Sequence, residues 1–198
     1  MKLDKTTLAL VISGLAMIVS YSFPINDQYT TAAIYLGAIP LLTIILVFDE
    51  SLKEYGFSIG DWRKGLKYTC YGIVILIILL VAGAIIFNYQ SDYSFTYLFK
   101  KDHLITISKA IMMLVSWEVF FRGFILFGTS SRFKEYSYQV QAIPYALMHI
   151  GKPPIEAIAS LPFGMMMGYI AYKTKSILYP ILIHLSLNII LILIIAFM

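Results

Sequence analysis

The chain has few charged residues and almost no cysteine. Asp, Glu, Lys and Arg make up 13% of its 198 residues, while hydrophobic residues make up 60%. Soluble globular domains carry about 25% charged residues, so this composition excludes a separate soluble catalytic domain. Any chemistry must take place in or against a membrane. The single cysteine, Cys70, excludes a disulfide framework, a CxxC motif and a thiolate zinc site.

Apolar segments account for most of the sequence. They predict an all-α fold, a polytopic transmembrane helix bundle formed by one domain over residues 1–198. Seven membrane segments are expected, namely Leu8–Phe23, Thr31–Phe48, Tyr68–Phe87, Leu104–Gly128, Tyr138–Ile150, Ile155–Tyr172 and Ile177–Met198. A helix needs about 20 residues to cross a hydrocarbon core, so the fifth segment is too short. We expect this fifth segment to be a half-helix shielded by protein or by a water-filled cavity.

Lysine and arginine are distributed unevenly between the two predicted sides of the membrane. With the N-terminus inside and seven crossings, ten of these residues lie inside and three lie outside. This bias follows the positive-inside rule, so we expect an integral protein of a prokaryotic plasma membrane with a cytoplasmic N-terminus. The first segment lacks an A-x-A-like cleavage site and is expected to be a retained signal anchor. Because the basic residues separate apolar segments, the net charge of +4 does not indicate nucleic-acid binding.

In the stretch Leu52–Lys67, between the second and third segments, Trp62 is followed by Arg63, Lys64 and Lys67. Tryptophan and lysine favour the headgroup region, so a short interfacial helix at the inner surface is one interpretation. A polar loop with one stray tryptophan fits the same pattern equally well.

Several polar side chains lie within apolar segments, where a charged group costs roughly 2.5–3.5 kcal/mol. The candidates for a functional site are Glu118, Arg122, His149, Glu156, His184 and Asn188. Counting 1.5 Å per residue from the inner ends places Glu118 about 15 Å, His149 about 17 Å and His184 about 10 Å deep. Three helices therefore bring polar groups to a similar depth. Lys109 is near enough to the outer end to reach the surface, and we assign it no role.

Each candidate also has a purely structural interpretation. A Glu–Arg pair four residues apart can simply stabilise a bundle, and a buried histidine or asparagine can bridge helices. Together, however, the six residues contain a base for water and donors for a developing oxyanion. Ser160, Gly164 and Gly168 form a small-residue pattern that predicts close packing of the sixth helix.

Three motifs contain five of these candidate residues. They are Trp117-Glu-Val-Phe-Phe-Arg-Gly-Phe124, Tyr145-Ala-Leu-Met-His149 and His184-Leu-Ser-Leu-Asn188, and the linker Tyr172-Lys-Thr-Lys-Ser176 precedes the third. Together they resemble the CAAX protease and bacteriocin-processing superfamily of glutamate-type intramembrane proteases, which includes the type II CAAX prenyl endopeptidase. The first motif is similar to Glu-Glu-x-x-x-Arg followed by Gly, the second to Phe-x-x-x-His, the third to His-x-x-x-Asn, and the linker to the family's Lys-Thr-x-Ser. The resemblance implies a protease-like core over residues 109–188.

Trp117 departs from the family pattern. In the family, the first glutamate of the first motif is thought to activate water together with the histidine of the second motif. An indole cannot act as a base, so either this role has moved or the activity has been lost. Glu118 and Glu156 remain equal candidates for the base. The run His-x-Gly-Lys-Pro-x-x-Glu that ends at Glu156 resembles a superfamily branch with one glutamate in its first motif, although Glu156 is expected some 7 Å beyond His149.

The resemblance implies an intramembrane endopeptidase that hydrolyses a peptide bond with water activated by glutamate and histidine. Its substrate would be a peptide or protein in the lipid bilayer, and it would need no cofactor. In this hypothesis His149 orients the water, His184 and Asn188 stabilise the oxyanion, and Arg122 orients Glu118. Zinc held by two histidines and a glutamate is a less favoured alternative.

Two other classes of function stay open. Trp117 favours an inactive relative that acts as a membrane scaffold, chaperone or immunity-type protein. A proton-coupled carrier could use the histidines and glutamates as a relay. The sequence has no inverted repeat, which counts against a carrier.

Overall fold

A computed structural model describes residues 4–87 and 103–197, whose regular secondary structure is entirely helical. Helices occur at all seven predicted positions: α1 (Lys5–Ser22), α2 (Gln28–Val47), α3 (Trp62–Phe87), α4 (103–133), α5 (Ser137–Leu147), α6 (Pro154–Thr174) and α7 (Leu178–Phe197). Helix α4 is continuous through His103–Glu118, a π-helical segment Val119–Ile125, and Leu126–Phe133. The all-α fold is confirmed. The predicted end of the seventh segment, Met198, lies outside the described residues.

Five helical stretches in the described ranges are long and apolar enough to cross a membrane. One of them, Leu104–Leu147, has 44 residues and takes in both α4 and α5. In α7, the stretch Leu178–Ile190 is a shorter apolar helix. These findings confirm a bundle of membrane helices, while the number of seven crossings stays a prediction.

Helix α5 is short and folds back against α4. A 3₁₀ turn at Lys134–Tyr136 joins the two helices. Phe121 of α4 then contacts Tyr145 at a ring-centroid distance of 5.2 Å, and Trp117 contacts His149 at 5.4 Å. The two helices are therefore antiparallel here. With eleven residues, α5 is about 17 Å long, which confirms that the fifth segment cannot span a membrane by itself.

Helices α5 and α6 approach closely because α6 presents glycines to α5. A Cβ atom at Gly164 would lie 2.8 Å from Cδ1 of Tyr145, and a Cβ atom at Gly168 would overlap the amide of Gln141. That amide donates a hydrogen bond of 2.7 Å to the carbonyl of Gly164. The predicted role of the small residues on α6 is thus confirmed, and it holds α5 in place.

Gly168→Ala is expected to destabilise the protein by about 1–3 kcal/mol, because the added methyl group overpacks a buried interface. Gly14→Ala is the matched control, since a Cβ atom at Gly14 of α1 would meet none of the described residues within 4 Å. Alanine there is expected to be neutral or to stabilise by up to about 1 kcal/mol. Unfolding in detergent micelles measures both changes, and equal stabilities for the two variants would contradict the close packing.

The prediction of a short interfacial helix over Leu52–Lys67 was wrong. The alternative, a polar loop, was wrong for the second half of this stretch. Leu52–Tyr55 form one 3₁₀ turn, and α3 already begins at Trp62. The side chain of Asp61 accepts a hydrogen bond of 3.1 Å from the backbone N–H of Lys64 and so caps α3. Hydrogen bonds from the side chain and backbone of Lys64 hold the pKa of Asp61 below its usual value. The basic residues after Trp62 are therefore the first turns of a membrane helix.

Lys109 has a structural role that the sequence did not reveal. Its Nζ atom lies 2.8 Å from Oδ2 of Asp27, the residue that caps α2, so the pair joins the beginnings of α2 and α4. The hydrogen bond from Lys109 is the main cause that lowers the pKa of Asp27 to about 2. Because this pKa is lowered on folding, the pair stabilises the fold above about pH 4, and its contribution falls as the pH drops toward 2.

Candidate active site

Glu118 is fully buried in α4, where one of its carboxylate oxygens accepts two hydrogen bonds. NH1 of Arg122 donates to Oε1 over 3.2 Å, and Nδ1 of His184 donates to the same atom over 2.7 Å. The Glu118–Arg122 pair is the one expected from a spacing of four residues. Because a carboxylate only accepts, Nδ1 of His184 carries a proton, and Nε2 is the ring nitrogen left for other partners. The carboxylate thus orients an imidazole from a helix 66 residues away in the chain.

Arg122 lies at the centre of the π-helical segment, and its side chain is fully buried. Its guanidinium carbon lies 4.2 Å from the ring centroid of Tyr145, a cation–π contact. Within the described ranges, Nε and NH2 of Arg122 and Oε2 of Glu118 have no hydrogen-bond partner. π-Helical turns occur frequently at functional sites, and here the turn places a buried ion pair in the middle of the bundle.

His149 lies in the turn that follows α5 and is half-buried. Its Nδ1 is 2.9 Å from the carbonyl oxygen of Tyr145. A carbonyl oxygen cannot donate, so Nδ1 carries the proton and Nε2 of the neutral ring keeps a lone pair. His149 is therefore held in the tautomer that can accept a hydrogen bond or a proton at Nε2.

An aromatic cluster connects the two histidines. The Trp117 ring contacts His149 edge-on at 5.4 Å and Tyr145 at 5.9 Å. Phe163 of α6 contacts His184 at 5.7 Å and Tyr145 at 6.4 Å. His149 and His184 are also near enough to interact electrostatically. This cluster therefore brings together His149 and His184, two of the polar residues that the sequence placed at a similar depth.

Glu156 lies in the first turn of α6, half-buried, and interacts electrostatically with His149. Gly164 packs against Tyr145, which makes these two residues level. Glu156 precedes Gly164 by eight residues, or about 12 Å, while His149 follows Tyr145 by four residues, or about 6 Å. Measured along the helix axes, Glu156 therefore lies about 6 Å beyond His149, close to the separation of some 7 Å expected from the sequence.

Asn188 lies one turn after His184 on α7 and is exposed. Its Nδ2 donates a hydrogen bond of 2.9 Å to the carbonyl of His184. The described contacts do not bring the amide to Glu118, although its second N–H hydrogen is left for another acceptor.

The less favoured alternative for these residues is a zinc site with two histidines and a glutamate as ligands. Within residues 4–87 and 103–197, no three His, Cys, Asp or Glu side chains are grouped so that they could hold a metal ion. Cys70 is exposed.

Tyr145 and Phe163 contribute to the site although the sequence assigned them no role. Tyr145 stacks on the guanidinium of Arg122 and supplies the carbonyl that orients His149. Its place in the second motif, four residues before His149, is the signal that could have identified it. Phe163 lies in an apolar helix among similar residues, so no sequence signal distinguishes it.

Part of the chain matches the model of a known protein family. A model described as "Type II CAAX prenyl endopeptidase Rce1-like" matches residues 99–190. Comparisons with curated proteins and with solved structures each give no match. The matched range contains the three motifs and all six candidate site residues. Over residues 99–190 the chain is therefore similar to Rce1-like type II CAAX prenyl endopeptidases, which supports the resemblance to the CAAX protease and bacteriocin-processing superfamily that its motifs carry.

Proposed function

We propose that the protein is an intramembrane endopeptidase that hydrolyses a peptide bond with a water molecule activated inside the bundle. The observation that carries this proposal is the pair His149 and His184. Each ring donates from Nδ1 to a fixed acceptor and leaves Nε2 available, and both rings contact one aromatic cluster. In this proposal residues 109–188 form the protease core, and the N-terminus, with Lys2 and Lys5 before the first apolar segment, lies in the cytoplasm.

Glu118 acts in this mechanism as a positioning residue and not as the base. The carboxylate is fully buried, and both of its partners bind Oε1. A carboxylate behind an imidazole fixes the tautomer and stabilises the imidazolium form. His184 is therefore the group that donates from Nε2 to the oxyanion and then to the departing amine. Asn188 can add a second donor with its free amide hydrogen.

His149 and Glu156 hold and deprotonate the water. Nε2 of His149 accepts a hydrogen bond from the water, and the nearby carboxylate of Glu156 takes a proton as the water oxygen attacks the carbonyl carbon. The amine leaves with the proton donated by His184, and the proton on Glu156 then restores His184. Atoms and charge balance without a covalent enzyme intermediate.

A cleavage assay tests the proposal. The purified protein is reconstituted in liposomes, incubated with a library of membrane-associated peptides, and analysed by mass spectrometry. Defined products are expected from the wild type, with and without a chelator, and none from His149→Ala. Identical product patterns from the wild type and His149→Ala would contradict the proposal.

A second function has one specific observation in its favour. Trp117, which stands where the family has its first glutamate, contacts the ring of His149 at a centroid distance of 5.4 Å. A relative that has lost catalysis would act as a scaffold, a chaperone or an immunity-type protein. For such a relative, the wild type shows no turnover and Trp117→Glu gains it, whereas the control Trp117→Phe does not. Turnover by the wild type would rule this function out.

A further inference from the structure

Residues 173–176, which form the end of α6 and the start of the linker to α7, take no part in the chemistry above, yet they are hydrogen-bonded to another part of the chain. Five hydrogen bonds join residues 174–179 to residues 56–61. They are Asp61 N–H to Thr174 O, Ser58 Oγ to Lys175 O, Ser176 Oγ to Ser58 O, Ile177 N–H to Gly56 O, and Tyr179 OH to Ile59 O. We call residues 56–61 together with residues 174–177 the latch.

The residue types of the linker suit this arrangement. Thr174 is fully buried, and its hydroxyl donates to the carbonyl of Ile170 in the last turn of α6. Lys175 ends α6 in a left-handed conformation, with φ of 55°. The hydroxyl of Ser176 accepts a hydrogen bond of 3.1 Å from the backbone N–H of Leu178, the first residue of α7, while it donates to Ser58 O. One serine thus begins α7 and attaches it to the latch.

Gly60 completes the fit on the other side of the latch. Its φ of 60° lies in the left-handed region, and an added Cβ atom would overlap the carbonyl oxygen of Thr174. Only glycine meets both conditions without strain.

Helix α3 continues this contact along α7. Gly65 lies under the ring of Tyr179, and a Cβ atom at Gly72 would lie 3.0 Å from Cδ1 of Ile183. Ile183 immediately precedes His184. The packing of α3 against α7 therefore extends from the latch to Ile183, the residue next to His184.

We propose that the latch sets the height and rotation of α7 and thereby positions His184 on Glu118. A slip of α7 by one residue moves its side chains by about 1.5 Å and 100°, enough to break the 2.7 Å hydrogen bond between the two residues. Ser176, about 12 Å from His184 along the helix, and Gly60 are then positioning residues. Only the catalytic consequence of this inference rests on the proposed function.

Histidine ¹⁵N NMR of the full-length protein in micelles tests the latch without any need for turnover, with His184→Gln to assign the signal. Ser176→Ala is expected to shift the Nδ1 signal of His184 toward that of an unbonded ring, because one lost hydrogen bond changes such an equilibrium roughly ten-fold. Ser176→Thr keeps the hydroxyl and should restore the signal. Ser186→Ala is the matched control, since this serine lies nearer to His184 and its described hydrogen bond stays within α7, to the carbonyl of Leu182.

A second experiment, in which a covalent cross-link replaces the hydrogen bond between Ser176 and Ser58, tests the proposal if Ser176→Ala does not fold. Ser58→Cys and Ser176→Cys are combined with Cys70→Ser, so that a short thiol cross-linker can close the latch. The wild-type His184 signal is expected in the cross-linked protein and a shifted signal after release of the cross-link. An unchanged signal in both states, or equal shifts in Ser176→Ala and Ser186→Ala, would overturn the proposal. If turnover is absent while the NMR shifts occur, the latch stands and the proposed function fails.

Discussion

Glu118→Ala is expected to lower the free energy of unfolding by about 3–5 kcal/mol, because it leaves the fully buried guanidinium of Arg122 without a counter-charge. The same change removes the acceptor of Nδ1 of His184 and so releases α7 from α4. Equilibrium unfolding in mixed micelles measures the loss.

The double variant Glu118→Leu/Arg122→Met separates this charge effect from a loss of packing. Replacing both partners of a buried ion pair with apolar residues of similar volume is often neutral or stabilising. The double variant should therefore be more stable than Glu118→Ala. The buried pair would be unimportant for stability if the single variant stayed within about 1 kcal/mol of the wild type.

Glu156→Gln is expected to slow peptide cleavage by about 10²- to 10⁴-fold, the usual contribution of a general base, while the protein stays folded. Glu156 is half-buried in the first turn of α6, so the amide fits the same space. The steady-state cleavage rate of a peptide identified in the library assay gives the measurement.

Glu135→Gln is the matched control for this prediction. Glu135 lies exposed in the 3₁₀ turn between α4 and α5 and should tolerate the change without loss of rate. Equal rates for the two variants would remove Glu156 from the mechanism. Should Glu118→Gln stop cleavage while Glu156→Gln does not, Glu118 would be the base.

The helices could be predicted because each depends on local composition. A bilayer requires long apolar stretches, and these stretches mark all seven helix positions, including the short α5. The error over Leu52–Lys67 arose where local pattern was ambiguous. Trp62 and the basic residues after it suit an interfacial helix as well as the beginning of a membrane helix, and α3 extends over them because Gly65 packs against Tyr179 of α7.

Part of the candidate site was also predictable. The spacing of four residues places Glu118 and Arg122 on one helix face, and residue counts from the segment ends brought Glu118 and His184 to a similar depth. His184 and Asn188 lie one turn apart on the same face of α7. The sequence could not show that neighbouring helices cover His184 and leave Asn188 exposed.

By itself, the sequence determined that this protein is a helical membrane bundle, because hydrophobicity and residue spacing act within single helices. It also showed which polar residues lie in the apolar segments. Only the tertiary structure decided that Glu118 orients His184, that Trp117 contacts His149, and that the linker before α7 binds residues 56–61. These contacts join distant parts of the chain, and they depend on how the helices rotate and pack against one another.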